Sequence, residues 1–147
     1  MAADSTISAL NRLLAIHNRS LVQYLSFASP TWHLGDEHAR DTLRAISADQ
    51  RATVERLGHM ILENGGLVNY GSFPMSFTGL HDLSFDFLLN RLIDGQRLAV
   101  SIIEQCVAKL SRNLLAKALA EESLGAAKGH LESLLELRQP ESLYAAH

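Results

Sequence analysis

Four stretches of the chain repeat apolar residues at the three- and four-residue spacing of one helical face. In the third stretch Phe85, Leu89, Leu92, Ala99, Ile103, Val107 and Leu110 form the stripe, and a glutamine, Gln96, sits at its centre. The first has Ile7, Leu10, Leu14, Leu21, Tyr24, Leu25 and Ala28, with His17 one turn after Leu14 and one before Leu21. The second has Leu43, Ile46, Val54, Leu57 and Ile61, interrupted by Gln50 and Thr53. The fourth carries Leu115, Ala118, Leu119, Ala126 and Gly129 on the face of Glu122. Each segment thus aims a polar group from mid-length at a shared centre. That is the layout of a helical bundle with a present or former metal site.

Local signals set the expected ends. Ser5 or Thr6 caps the first helix, and Ser29-Pro30 ends it because the residue before a proline avoids the α region. Asp36 caps the second after a short connection, and Gly65-Gly66 stops it by supplying a left-handed residue. Ser111 is the expected cap of the fourth, and Pro140 ends regular structure. Helices are therefore expected over about 6–29, 37–64, 81–110 and 112–138.

The segment 67–79, LVNYGSFPMSFTG, is long for a loop in a small domain. The second helix is roughly 40 Å long, and a nearly extended segment of this size reaches about 45 Å. It is long enough to return along the bundle and start the third helix parallel to the second, with Tyr70, Phe73 and Phe77 pinning it to the surface. The expected fold is all-α: a four-helix bundle of two antiparallel hairpins, with a long crossover between helices 2 and 3. Leu98 and Ile102 point away from the Gln96 face, as Leu124, Leu131 and Leu135 do from the Glu122 face. Helices apolar on two faces need cover on both. The crossover supplies one cover and a symmetric partner the other, so a homodimer is expected.

Composition narrows the class. The 147 residues suffice for one domain, 1–147, and the 47% hydrophobic content with few β-branched runs favours helix. The net charge is −3 and the 13 basic residues are scattered, which gives no footprint for nucleic acid. The first residues, MAADSTISAL, have neither basic leader nor apolar core, so no signal peptide is expected. The longest uncharged stretch, 64–80, is rich in Gly, Ser and Asn and is no membrane span. One cysteine, Cys106, excludes an intrachain disulfide and fits a reducing cytoplasm.

Three strings, LNRLLAIHNRSLVQYL, SADQRATVERLGHMILENGG and LAEESLGAAKGHLESLLEL, together with the crossover, resemble the ferritin-like superfamily, including bacterioferritins and rubrerythrins, over about residues 5–138. The resemblance implies a di-iron centre held by one carboxylate from each of two helices and a Glu-x-x-His pair from each of the other two. The i, i+3 spacing puts carboxylate and imidazole on one helical face. Matched by position, the first glutamate becomes His17, seven residues before Tyr24. The second-helix pair becomes Gln50 and Thr53, the third-helix glutamate Gln96, and the fourth-helix pair Glu122 and Gly125. Only Glu122 keeps a family ligand, so the resemblance implies the fold with a degenerate di-iron site.

Two arrangements follow for these four positions. In one, His17 bridges a buried Glu122 and the side chains of Gln50 and Gln96 in a metal-free network, since an unpaired buried charge is costly. In the other, iron or another divalent metal is held by His17 and Glu122, with Gln50 or Gln96 beside it. The first arrangement makes the chain a non-catalytic, cofactor-free, dimeric binding or interaction protein. The second makes it a metal-dependent iron-binding or oxidation protein, and a third reading uses the former metal cavity as a pocket for an apolar small molecule. Tyr24 would hydrogen-bond to the centre or simply pack. Glu55, His59 and Glu63 stand at i, i+4 spacing and would grip a surface metal or form a solvated face. His33, His38 and His81 read as loop and cap residues, and Cys106 as core. No nucleophile–base constellation, glycine-rich phosphate loop or zinc spacing is present, so no catalytic residue is assigned. The short tail ESLYAAH offers no fifth helix, and a large shell is not expected.

Overall fold

A computed structural model describes residues 2–28, 37–80 and 83–138. Among these the regular structure is helical throughout: α1 Ala2–Asn18, α2 Leu21–Ala28, α3 Glu37–Glu63, α4 Phe85–Lys109 and α5 Leu114–Arg138. None of these helices is long and apolar enough to cross a membrane.

The first expected helix is two helices. Arg19 N closes α1 on Ala15 O at 2.8 Å, and the chain then leaves the helix at Ser20. The Ser20 Oγ accepts from Gln23 N at 3.2 Å and its carbonyl from Tyr24 N at 3.0 Å, so Ser20 caps α2. A serine side chain can compete in this way for backbone donors, and at Ser20 it does so where the helix breaks. The expected stop at Ser29-Pro30, the 31–35 connection with His33, and the Asp36 cap lie outside the described residues.

The other expected helices shift only at their ends. α3 closes at the two glycines: Gly65 has φ 80°, its N–H donates to Leu62 O, and Gly66 N–H donates to Ile61 O at 2.9 Å. This is the double closure that an αL glycine permits. α4 begins at Phe85 rather than 81, with Ser84 O accepting from Leu88 N, and His81 is outside the described residues. α5 is capped by Asn113, whose Oδ1 accepts from Ala116 N at 3.1 Å, and not by Ser111. Pro140 is again outside the described residues.

Between α3 and α4 the segment 67–80 lies along α1 and α2. Asn11 fastens its start, donating to Leu67 O at 2.9 Å and accepting from Asn69 N at 2.7 Å. Asn18 Nδ2 and Arg19 Nε both donate to Tyr70 O. Further on, Phe73 meets the Tyr24 ring edge-on with centroids 5.3 Å apart, and Phe77 packs on the same ring. Phe73 and Phe77 therefore anchor the segment as expected. Tyr70 holds it through its carbonyl, while its ring is exposed.

The core divides into two apolar clusters. One joins Leu10, Leu13 and Leu14 of α1 to Leu57, Ile61, Ile103, Cys106 and Leu119. The other joins Leu21, Val22 and Leu25 to Leu43, Ile46, Leu89, Ile93 and Leu134. Cys106 is a core residue, and burial pushes its thiol pKa up.

Candidate functional site: a buried polar layer

Between the two clusters each long helix contributes a buried polar residue: His17 from α1, Gln50 from α3, Gln96 from α4 and His130 from α5. The buried Ser47 of α3 and Ser123 of α5 are next to this layer, on the second- and first-cluster sides. Three of the four positions singled out by the apolar stripes, His17, Gln50 and Gln96, are thus in one interior layer.

The fourth is not. Glu122 is on the outer side of α5, with its side chain 62% exposed. Arg56 grips it with both guanidinium arms, Nη1 donating to Oε1 at 2.8 Å and Nη2 to Oε2 at 3.0 Å. These hydrogen bonds, with the attraction of the two charges, hold the Glu122 carboxyl below its ordinary pKa and raise that of Arg56. The correction follows from the phase of α5. Its buried face is Ala116, Leu119, Ala120, Ser123, Ala127, His130 and Leu134, while Leu115, expected to be buried, is exposed. That stripe is made largely of small residues, whereas leucines lie all around the helix. His130 was the signal to follow, because 116, 123 and 130 recur at heptad spacing with 120, 127 and 134 beside them.

The layer is built mainly from neutral groups. Gln50 Oε1 accepts from Ser20 Oγ at 2.8 Å and from Gln23 Nε2 at 3.2 Å. Gln23 Nε2 also donates to Ser47 O, so the start of α2 is tied to the middle of α3. Gln96 Nε2 donates to Ala127 O at 3.0 Å, joining α4 to α5. Ser123 Oγ donates to Ala120 O in its own helix. Thr53, the other second-helix position, is half-buried beside the layer.

The two histidines differ. His130 Nε2 is 3.0 Å from Asp49 Oδ2, whose side chain is largely exposed. His17 is nearly fully buried, and burial, aided by the nearby His130, pushes its pKa down to about 4. It is a neutral imidazole at pH 7. Neither His17 Nε2 nor His130 Nδ1 has a hydrogen-bond partner among the described residues.

The remaining candidates are at the surface. Glu55, His59 and Glu63 are exposed, as is His38 at the start of α3. Among the described residues no three His, Cys, Asp or Glu side chains are grouped to hold a metal ion. Tyr24 packs among Phe73 and Phe77.

A cavity of about 580 Å³ opens beside the layer, between α1, α4 and the 72–77 segment. Ser20 and Gln96, both bonded into the layer, are part of its wall.

Comparison of the chain with protein-family models, with curated proteins and with solved structures returns no match.

Proposed function

We propose that this chain is a ferritin-like four-helix bundle whose di-iron centre has become a neutral hydrogen-bonded layer, and that it acts as a non-catalytic binding protein. In this reading α1 with α2 counts as the first helix, and the 67–80 segment is the crossover. Antiparallel pairing of α1 with α3 is supported by Ile7 lying against Gly66 while Ser20 reaches Gln50. Asn64–Asn113, Arg56–Glu122 and Asp49–His130 support the same for α3 with α5. The fourth-helix Glu-x-x-His positions then fall on Ala127 and His130, in place of Glu122 and Gly125.

The observation that carries the proposal is the donor set. Four ferritin-type carboxylate positions are occupied by His17, Gln50, Gln96 and Ala127, and both nearby acids, Asp49 and Glu122, are at the surface. Two divalent irons need bridging negative charge, so these residues do not fit a di-iron centre.

The test is the metal content of protein purified without chelator or affinity-tag metal, before and after anaerobic Fe(II) addition. A value near zero in both is expected. One or two tightly held irons per chain would overturn the proposal.

One observation favours a second reading. The nitrogens of His17 and His130 that lack a partner among the described residues would serve as donors to a single late transition metal such as Zn(II) or Cu(II). In that case Asp49 would orient His130 from behind, as carboxylates do for metal-binding imidazoles. Stoichiometric Zn(II) uptake lost in both His17→Ala and His130→Ala would select it.

The homodimer belongs to the proposal as well. Leu62 and Tyr70 are exposed and border one recess along α3, a face that a second copy would cover. Sedimentation at micromolar concentration tests it, with Leu62→Glu expected to give monomers.

A further inference from the structure

The cavity between α1 and α4 has an apolar floor and a basic rim. Its walls include Ile16 and Phe77 on one side and Leu92, Ala99 and Ile102 on the other. About 580 Å³ is within the range of sites that take small organic molecules. Along α4 the lining runs from Arg91 to Ile102, roughly 16 Å of helix. The space is elongated, and a medium-chain alkyl tail is of that length.

Charge decides what such a tail carries. Arg12, Arg19 and Arg91 line the opening against one acid, Asp94. Two of the arginines are engaged. Arg12 Nη1 donates to Gln105 Oε1, and Arg19 donates to Tyr70 O and Gly71 O with its guanidinium 4.7 Å over the Phe73 ring. Arg91 is exposed and makes no hydrogen bond or ion pair among the described residues. It is an uncommitted guanidinium fork beside an apolar slot, the group that receives a carboxylate in two parallel hydrogen bonds.

We propose that this groove binds a medium-chain fatty carboxylate, with its tail along Ile16, Leu92, Ala99 and Ile102 and its head on Arg91. The proposal gives the non-catalytic binding role above a ligand class and rests on that reading. It fails independently of it, because metal content is blind to the groove.

The test is calorimetric titration of the full chain with sodium dodecanoate below its micelle concentration at pH 7. Dodecyltrimethylammonium, with the same tail and opposite charge, is the comparison. Saturable binding of one dodecanoate per chain is expected, with the cation weaker by about tenfold or more. Arg91→Glu should weaken dodecanoate by a similar factor, and its exposed position keeps the fold intact. Ala99→Trp, which fills the slot, should abolish binding while the helical circular dichroism is unchanged. Absence of saturable binding to the wild type, equal binding of anion and cation, or unchanged binding in Arg91→Glu would each overturn the proposal. So would a stable dimer that buries Leu98, which is 62% exposed on the same rim, and excludes dodecanoate.

Discussion

The carboxylate of Asp49 holds His130 Nε2 at 3.0 Å from the rim of α3. An ionised carboxylate only accepts, so the ring presents an Nε2 proton to it, and the tautomer this selects has its lone pair on Nδ1, at a buried position. A surface acid thus sets the tautomer of an interior base. Nitrogen chemical shifts of the ring should report the Nε2–H form in the wild type. Asp49→Asn, whose amide both donates and accepts, should give a mixture of tautomers. It should also lose roughly 0.5–1.5 kcal/mol of stability. A single unchanged tautomer in the variant would show that Asp49 does not select it.

His17 makes stability depend on pH in one direction. Its pKa is 6.5 in the unfolded chain and about 4 in the fold. The unfolded state therefore binds the proton more readily, and the contribution is complete above 6.5 and lost as pH falls towards 4. The loss across that window is roughly 3 kcal/mol. Urea unfolding of the wild type and of His17→Gln at pH 7 and pH 4 measures it. The variant should lose less than the wild type by about that amount, and parallel losses would refute the assignment.

Gln96 should respond to pH in the opposite sense when converted to an acid. Its Nε2 donates to Ala127 O. Gln96→Glu sets a buried carboxylate oxygen against that carbonyl, at a cost of about 1–3 kcal/mol at pH 7. Below its raised pKa the acid regains a proton to donate, so the gap to wild type should narrow by pH 5. A gap that stays constant or widens in denaturant titrations would contradict this account.

The Arg56–Glu122 pair is the surface counterpart. Both groups are solvated, so Glu122→Gln should leave the thermal midpoint close to wild type despite the pair's short hydrogen bonds. Carbon-detected titration of the Glu122 carboxyl should place its pKa below the ordinary value and return it towards that value in Arg56→Ala. A large stability loss in Glu122→Gln would mean the side chain is buried after all.

The sequence was most legible where apolar and polar positions contrast sharply. Leu14, His17 and Leu21 stand on one stripe, as do Leu92, Gln96 and Ile103, and each polar member is buried where the stripe puts it. Legibility failed on α5 because its inward face is Ala116, Ala120, Ser123 and Ala127. Small residues carry little hydropathy, so leucines on the flanks dominate the pattern and rotate the apparent face onto Glu122. The break at Arg19-Ser20 was hidden for another reason. The stripe continues across it, and only the hydroxyl of Ser20, free to cap one helix and reach Gln50, interrupts the backbone. The Asp49–His130 pair spans two helices far apart in sequence, and no local spacing announces it.

The polar layer also works as a vernier between the helices. α3, α4 and α5 each cross from one apolar cluster to the other through the layer, at Gln50, Gln96 and His130, while α1 ends in it at His17 and α2 continues into the second cluster. Sliding any helix by one turn would carry its amide or imidazole into hydrocarbon and set a leucine or isoleucine against the donors left behind. Two uniform leucine halves would tolerate such slippage, since one aliphatic contact replaces another at little cost. The layer gives up some cohesion and in exchange admits one axial alignment of the helices.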